Sequence, residues 1–217
     1  MDKTTYESTF SEDDAPGWIA IDNVCESVYG GEPLGHFAPA LPPILGGQGP
    51  DGVSVYRADD HLHYVTYGFS VLHYEPEAAG GAFSGWGFEL TFRLKSDVDT
   101  QSEIPLWPVA VFQNLYTYVH ESQSWFEPDQ CILTTTQPLC SDLTWQDTEI
   151  SGLGFVEDAS LATINTPHGD VQFVQLVGLT RAEVKALEPD PTAVADVLKT
   201  LGQSSPFHVT DMARDMT

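Results

Sequence analysis

Residues 86–95 read Trp86-Gly87-Phe88-Glu89-Leu90-Thr91-Phe92-Arg93-Leu94-Lys95, the clearest alternation in the chain. Trp86, Phe88, Leu90, Phe92 and Leu94 fall on one face, and Gly87, Glu89, Thr91, Arg93 and Lys95 on the other. A period of two belongs to a β-strand, and a polar alternate face makes the strand half-buried. The register predicts a strand without a bulge, with Trp86, Phe88, Leu90 and Phe92 all buried. Glu89 has two readings. A catalytic acid needs burial and a raised pKa. A charge pair with Arg93, two same-face positions along, is the plainer one.

On the N-terminal side, His61–Tyr74 reads as a long strand rich in Tyr, Val and Phe, bent at Gly68. Val53–Arg57 is a short strand before it, and Asp59-Asp60 makes the turn between them. The Gly- and Pro-rich residues 32–52 are a wrapped loop. Earlier still, Asp14-Ala15-Pro16 starts a helix that carries Trp18, Ile21, Cys25 and Val28 on one face and stops at Gly30-Gly31. Residues 1–14 are polar and acidic and read as a disordered tail.

On the C-terminal side, Pro105–Glu121 is a helix with an apolar stripe of Leu106, Val109, Phe112, Leu115 or Tyr116, and Val119. Residues 122–148, with Pro128, Pro138 and the Thr134-Thr135-Thr136 run, are irregular. Leu153–Glu157, Leu161–Asn165 and Val171–Val177 are strands, the last two joined through a Gly-containing turn at 166–170. Thr180-Arg181-Ala182-Glu183 has capping-box spacing, and Asp190-Pro191 opens a further helix running to Gly202. Residues 206–212 form a last strand or extended arm. Helices and strands mix without strict alternation. The expected fold is therefore α/β with α+β character: one compact domain over 15–217, with a mixed sheet sandwiched by helices. No internal repeat or linker interrupts it.

The chain has 217 residues, of which 41% are hydrophobic and 11% aromatic, enough for a single sizeable core. Its 8 Lys and Arg against 32 Asp and Glu give a net charge of −24. That charge excludes ordinary nucleic-acid phosphate binding and argues against anionic membranes. It allows a basic partner, a solubility role or a high-salt habitat. No apolar run approaches the roughly 18 residues of a membrane span, and no signal-peptide pattern opens the chain, so a cytoplasmic location is expected. Cys25, Cys131 and Cys140 form no CxxC pair. A Cys131–Cys140 disulfide is open on spacing, although an odd total suits a reducing compartment.

His61-x-His63 puts two imidazoles on one strand face, a spacing that suits metal, with His73, Glu75 or Glu89 as a third ligand. Partly exposed strand histidines are the plainer reading, and Asp59 and Asp60 would raise their pKa. No metal and no cofactor is therefore expected. G-x-S-x-G and P-loop patterns are absent; Gly46-Gly47-Gln48-Gly49-Pro50 lacks the Gly-Lys-Ser/Thr end. The aromatics Tyr64, Tyr67, Tyr74, Trp86, Phe88 and Phe92 line two adjacent strands, as core or as a ligand groove.

The stretch Trp86–Leu94, following Tyr64-Val65-Thr66-Tyr67-Gly68-Phe69-Ser70, resembles the suppressor of fused domain. Gly17-Trp18-x-Ala20-Ile21-Asp22, Gly52-Val53-Ser54-Val55-Tyr56, Leu115-x-x-Tyr118-Val119, the 166–180 segment and Val209-Thr210-Asp211 fall in that family's order. The resemblance implies a compact α/β sandwich without catalytic residues. Animal members are cytoplasmic regulators that hold a transcription factor through a short peptide lying between two halves, and this chain matches the first half. Stand-alone bacterial members are similar to immunity proteins encoded beside toxins. The expected function is thus a non-enzymatic protein-binding domain, an immunity protein neutralising a basic toxin. The alternatives are a regulatory scaffold sequestering an endogenous partner, or a metal-dependent enzyme built on His61, His63 and Glu89. Contact residues are expected at Asp59, Asp60, Tyr67, Glu75 and Glu77.

Overall fold

A computed structural model describes residues 1–39, 49–134, 137–140, 143–144 and 146–215. Residues 46–48 of the glycine-rich stretch, and Thr135 and Thr136, lie outside the described residues. Among those described, strands β1 (Gly35–Phe37), β2 (Gly52–Arg57), β3 (His61–Tyr67), β4 (Phe83–Lys95), β5 (Cys131–Ile132), β6 (Ile150–Glu157), β7 (Ile164–Thr166) and β8 (Gly169–Thr180) form one sheet. Its order is β1-β2-β3-β4-β8-β6-β5, with β7 beside β8. Every pairing is antiparallel except β4 with β8, so the sheet is mixed. Strands β2, β3, β4 and β8 are consecutive in it.

Helices cover both faces. α3 (Trp107–Ser122) lays Phe112, Leu115 and Val119 on a core of Val53, Val55, Tyr64, Phe88, Leu90, Phe92 and Leu176. α2 (Pro16–Tyr29) places Ile21 and Cys25 against Tyr56, Val65, Tyr67 and Phe173 on the opposite face. Val28, expected on that stripe, is exposed. α2 ends as its sequence demands, with Gly30 at φ 70. α4 (Arg181–Leu187) begins with the full capping box of Thr180 and Glu183. α5 (Val194–Ser204) follows a 3₁₀ turn capped by Asp190, and the two helices bury Val184, Leu187, Val194 and Leu198 on Val177 and Leu179.

Further expectations are corrected. Residues 1–14 are not a disordered tail: α1 (Lys3–Thr9) is capped by Asp2 and fully buries Tyr6. One aromatic suffices to anchor a helix whose other residues are polar. The Tyr6 hydroxyl lies 2.7 Å from His168 Nε2 and accepts from the Glu75 N–H at 3.1 Å. β3 stops at Tyr67 rather than Tyr74, because Gly68 takes φ 129 and the next backbone N–H groups turn to Glu89. β4 does carry an irregularity: its register to β8 shifts between Phe83 and Phe88. Gly85 and Gly87 sit there at φ 57 and 82, a left-handed backbone that side chains resist. Phe88, Leu90 and Phe92 are buried as expected, but Trp86 is only half-buried. Finally, β4 is not half-buried: Glu89, Thr91 and Arg93 are at most 2% exposed. A central strand with a parallel neighbour is covered on both faces.

The 161–165 strand starts only at Ile164, since the Leu161 N–H goes to Asp158. The final arm meets the sheet through a parallel bridge, Leu94 with Thr210, and through hydrogen bonds from Gln175 to the Phe207 and His208 carbonyls and from the Gly178 N–H to Thr210 Oγ1.

Candidate functional site

The polar face of β4 builds a buried charged network. His63 lies directly across from Arg93 in the β3–β4 ladder. Arg93 donates to Asp158 Oδ1 at 2.8 Å, to Gln175 Oε1 at 3.2 Å and to His61 Nε2 at 3.1 Å, and its guanidinium stands 5.4 Å over the Phe207 ring. Asp158 also accepts from Thr91 Oγ1 at 2.7 Å and from the Ser160 and Leu161 N–H groups at 2.8 and 3.0 Å. His63 Nε2 lies 2.9 Å from Asp158 Oδ2 at an angle too poor for a full hydrogen bond, and its Nδ1 meets the Tyr29 hydroxyl. Burial pushes His63 down to about 4, so the imidazole is neutral at pH 7. Burial opposes ionisation of Asp158, yet its partners hold it well below the usual carboxylate range. Hydrogen bonding and charge from His63 come first among these partners, followed by the Arg93 cation and the Ser160 N–H. The Arg93 N–H makes His61 Nε2 an acceptor, leaving Nδ1–H for Asp60 Oδ1 at 2.9 Å.

Glu89 does not pair with Arg93. Its carboxylate accepts from Thr66 Oγ1 and Ser70 Oγ at 2.7 Å each, from the Gly68 and Ser70 N–H groups at 3.0 Å each, and from the Phe69 N–H at 3.4 Å. Burial raises it to about 7 against these five donors. It closes the turn after β3.

The sequence-derived metal candidates therefore do not converge. His61 and His63 are buried, not partly exposed, and are bonded to Arg93, Asp60 and Tyr29, while Glu89 serves a separate turn. Among the described residues no group of three His, Cys, Asp or Glu can hold a metal. Cys25 and Cys131 carry free thiols, so the Cys131–Cys140 disulfide is not formed. Burial pushes Cys25 up to about 12, which makes it a core residue and not a nucleophile.

Of the expected contact residues, Asp59, Asp60, Glu75 and Glu77 are exposed. They do not make one patch. The first pair sits at the β2–β3 turn and the second beyond the other end of β3, about 20 Å away at 3.3 Å per residue. Tyr67 is corrected: it is fully buried, stacks on Trp18 at 4.6 Å and donates to Asp22 Oδ1 at 2.8 Å. Of the aromatic set, Tyr64, Phe88 and Phe92 are also core, and Tyr74 and Trp86 are half-buried.

The main exposed aromatic surface is elsewhere. A groove of about 470 Å³ is lined by Phe83, Trp86, Phe88, Trp125, Phe126 and Gln172, with Gly85 and Gly87 between the rings. Phe83 is 70% and Trp125 55% exposed. Trp86 is set by a T-shaped contact with His120 at 5.6 Å, and Phe126 stacks on Phe155 at 4.6 Å. The β4 irregularity lies in the groove wall: a Cβ at Gly87 would come within 3.2 Å of Phe83 Cβ, a contact tight enough that the side chain would have to give by a few tenths of an ångström. Phe83 and Trp125 are absent from the sequence-derived site. Their one signal is the Trp125-Phe126 pair in an otherwise polar stretch, 121–127.

No helix among the described residues is long and apolar enough to cross a membrane. Fold and surfaces thus define a mixed-sheet α/β domain whose interior ionisable groups brace the sheet and whose aromatic groove faces outward. The chain belongs to the suppressor of fused family: the family model "Suppressor of fused protein (SUFU)" matches residues 48–215. It is 31% identical over 218 residues to the suppressor of fused homologs of Homo sapiens and Mus musculus, covering 93% of this chain and 44% of theirs. It therefore spans less than half the length of these relatives. In structure it is similar to a chain of the Sufu–Fu complex, with TM-score 0.78 and 27% identity over 94% of this chain and 93% of that one. Drosophila Suppressor of Fused gives TM-score 0.77 and 27% identity over 95% of this chain and 52% of that one.

Proposed function

We propose that this protein is a non-enzymatic scaffold that sequesters a protein partner by seating an extended segment of it in the aromatic groove of Phe83, Trp86 and Trp125. The observation that carries the reading is the exposure of Phe83 and Trp125 side by side. Aromatic rings left open around a preformed cavity are the usual anchors of a protein contact. The solved relative in complex with Fu supports the same use of the fold. The groove holds no titratable pair positioned for acid–base work; its one carboxylate is Glu127.

A narrower reading makes the partner a basic toxin and the protein its immunity factor in the cytoplasm. The net charge of −24 favours it, since complementary charge speeds encounter. Regulatory sequestration needs only the groove and takes precedence.

The test is a display library tiling the source proteome, selected on the wild-type protein and on Phe83→Ser/Trp125→Ser. Both side chains are exposed, so the variant keeps its fold. The expected result is a set of segments enriched on wild type, bound at least about tenfold more weakly by the variant, since hot-spot rings contribute roughly 2 kcal/mol each. Equal binding by both proteins would remove the groove from the function.

A further inference from the structure

A second groove, of about 450 Å³, lies between the C-terminal end of α2 and the edge strand β1. Trp18, His36, Ser54 and Tyr56 wall it, and Asp22, Glu26 and Glu32 stand on its rim. The wall is preformed. Trp18 stacks on Tyr67 at 4.6 Å and lies 5.4 Å from His36, and Tyr56 stacks on Tyr29 at 4.7 Å. His36 Nδ1 is held 2.9 Å from Ser54 Oγ, and burial lowers the pKa of this imidazole, which keeps it from acting as a resident cation.

Three features give the groove one sign. Asp22 uses only Oδ1, for the Tyr67 hydroxyl. Among the described residues, the Glu26 and Glu32 carboxylates make no ion pair or hydrogen bond. Gly31, just past the α2 terminus, lines the groove, and the last turn of α2 contains no basic residue. The negative end of that helix is therefore uncompensated at this point. Some acids on other elements do have internal partners, such as Glu77 with Lys3, Asp211 with Lys95 and Glu183 with Arg214. Aromatic walls with unpaired carboxylates on the rim are complementary to a flat organic cation.

We propose that this groove receives an arginine side chain of the partner protein, the guanidinium lying against Trp18 and donating to Glu26, Glu32 and the open oxygen of Asp22. This rests on the protein-binding reading above and adds the chemistry of the partner: a basic residue docked apart from the aromatic groove. The volume exceeds that of a guanidinium and fits a side chain with its flanking backbone. Arginine is favoured over lysine because a planar fork can stack and reach two carboxylates together.

The experiment follows the Trp18 indole N–H in the ¹⁵N spectrum, assigned through Trp18→Phe. The probes are a capped pentapeptide with a central arginine between glycines and serines, the same peptide with neutral citrulline, and free agmatine. The arginine peptide is expected to shift the signal saturably, with citrulline inert and agmatine weaker. Glu26→Gln/Glu32→Gln is expected to weaken the arginine peptide about tenfold, near 1.4 kcal/mol. Glu12→Gln/Asp13→Asn removes equal charge elsewhere and is expected to leave binding within about twofold. Equal citrulline binding, or equal losses in both charge variants, would overturn the site. Agmatine binding as tightly as the peptide would make it a small-cation site and overturn partner docking. The library segments separate this from the parent reading. If they bind Glu26→Gln/Glu32→Gln with wild-type affinity and the arginine peptide fails, the groove assignment falls and sequestration stands. If no segment is selected, sequestration falls, and the partner docking built on it falls too.

Discussion

Glu89 and His63 titrate across the same pH range with opposite consequences for stability. Folded Glu89 keeps its proton up to about 7, against 4.5 for an unperturbed carboxyl. Between those values the folded chain binds the extra proton, so stability falls as pH rises. Folded His63 releases its proton near 4, against 6.5 unperturbed. There the unfolded chain binds the extra proton, so stability rises with pH. The slopes oppose each other from pH 4.5 to 6.5. Glu89→Gln removes the first and leaves the second. Its urea midpoint is expected to drop more steeply than that of the wild type on acidification from pH 6.5 to 4.5. It is also expected to be lower at every pH by about 1–3 kcal/mol, because an amide NH₂ would face N–H and O–H donors. A variant no more acid-sensitive than the wild type would mean that the five donors keep Glu89 ionised throughout. The composition of this buried polar set was legible in the sequence as the alternate face of β4. Its wiring was not: Arg93 meets Asp158 across 65 residues, and Thr66 meets Glu89 across 23. Alternation tells which residues share a face, whereas burial of that face depends on whether a helix covers it.

Elements whose signals are local are the ones the sequence exposes. The α4 capping box closes within four residues, and α2 stops at a glycine with positive φ. Elements fixed by distant contacts stay hidden. α1 carries one apolar anchor, and its partner His168 is 162 residues away. β1 has three residues in a loop-like composition and exists because β2 offers it an edge. The aromatic groove is of this second kind. Phe83 comes from the start of β4 and Trp125 from the segment after α3, and only the fold brings them together. A direct check on α1 is Tyr6→Ala. Loss of a fully buried aromatic is expected to cost about 3 kcal/mol, read as a shift in the urea midpoint with unchanged slope. In a disordered tail the same change would stay within roughly 0.5 kcal/mol, and that result would detach α1 from the fold.

At the scale of the molecule the dominant property is charge, −24 on 217 residues. A field of that sign draws in a basic partner, accelerates encounter and weakens as salt shortens the Debye length from about 10 Å at 0.1 M to about 3 Å at 1 M. Under the proposed seating in the aromatic groove, dissociation is expected to change little with salt. The exposed acids are expected to contribute unequally, because β3 separates them. Glu75 and Glu77 lie on the segment leading into Phe83, at the groove's end of the sheet, whereas Asp59 and Asp60 lie at the far turn. Over about 20 Å, two Debye lengths at 0.1 M, the far pair is largely screened from a partner entering the groove. Glu75→Gln/Glu77→Gln is therefore expected to slow association with a library-selected basic segment more than Asp59→Asn/Asp60→Asn does. The difference should be largest at low salt and vanish by 1 M. Folding should survive both changes: Glu77 pairs only with exposed Lys3, and Asp60 only with the His61 ring edge. Stopped-flow association rates across a salt series decide the matter. If the two pairs slow association equally, the steering field is diffuse and does not point to the groove. If neither changes the rate at any salt, these acids serve solubility alone, and the partner's approach owes nothing to them.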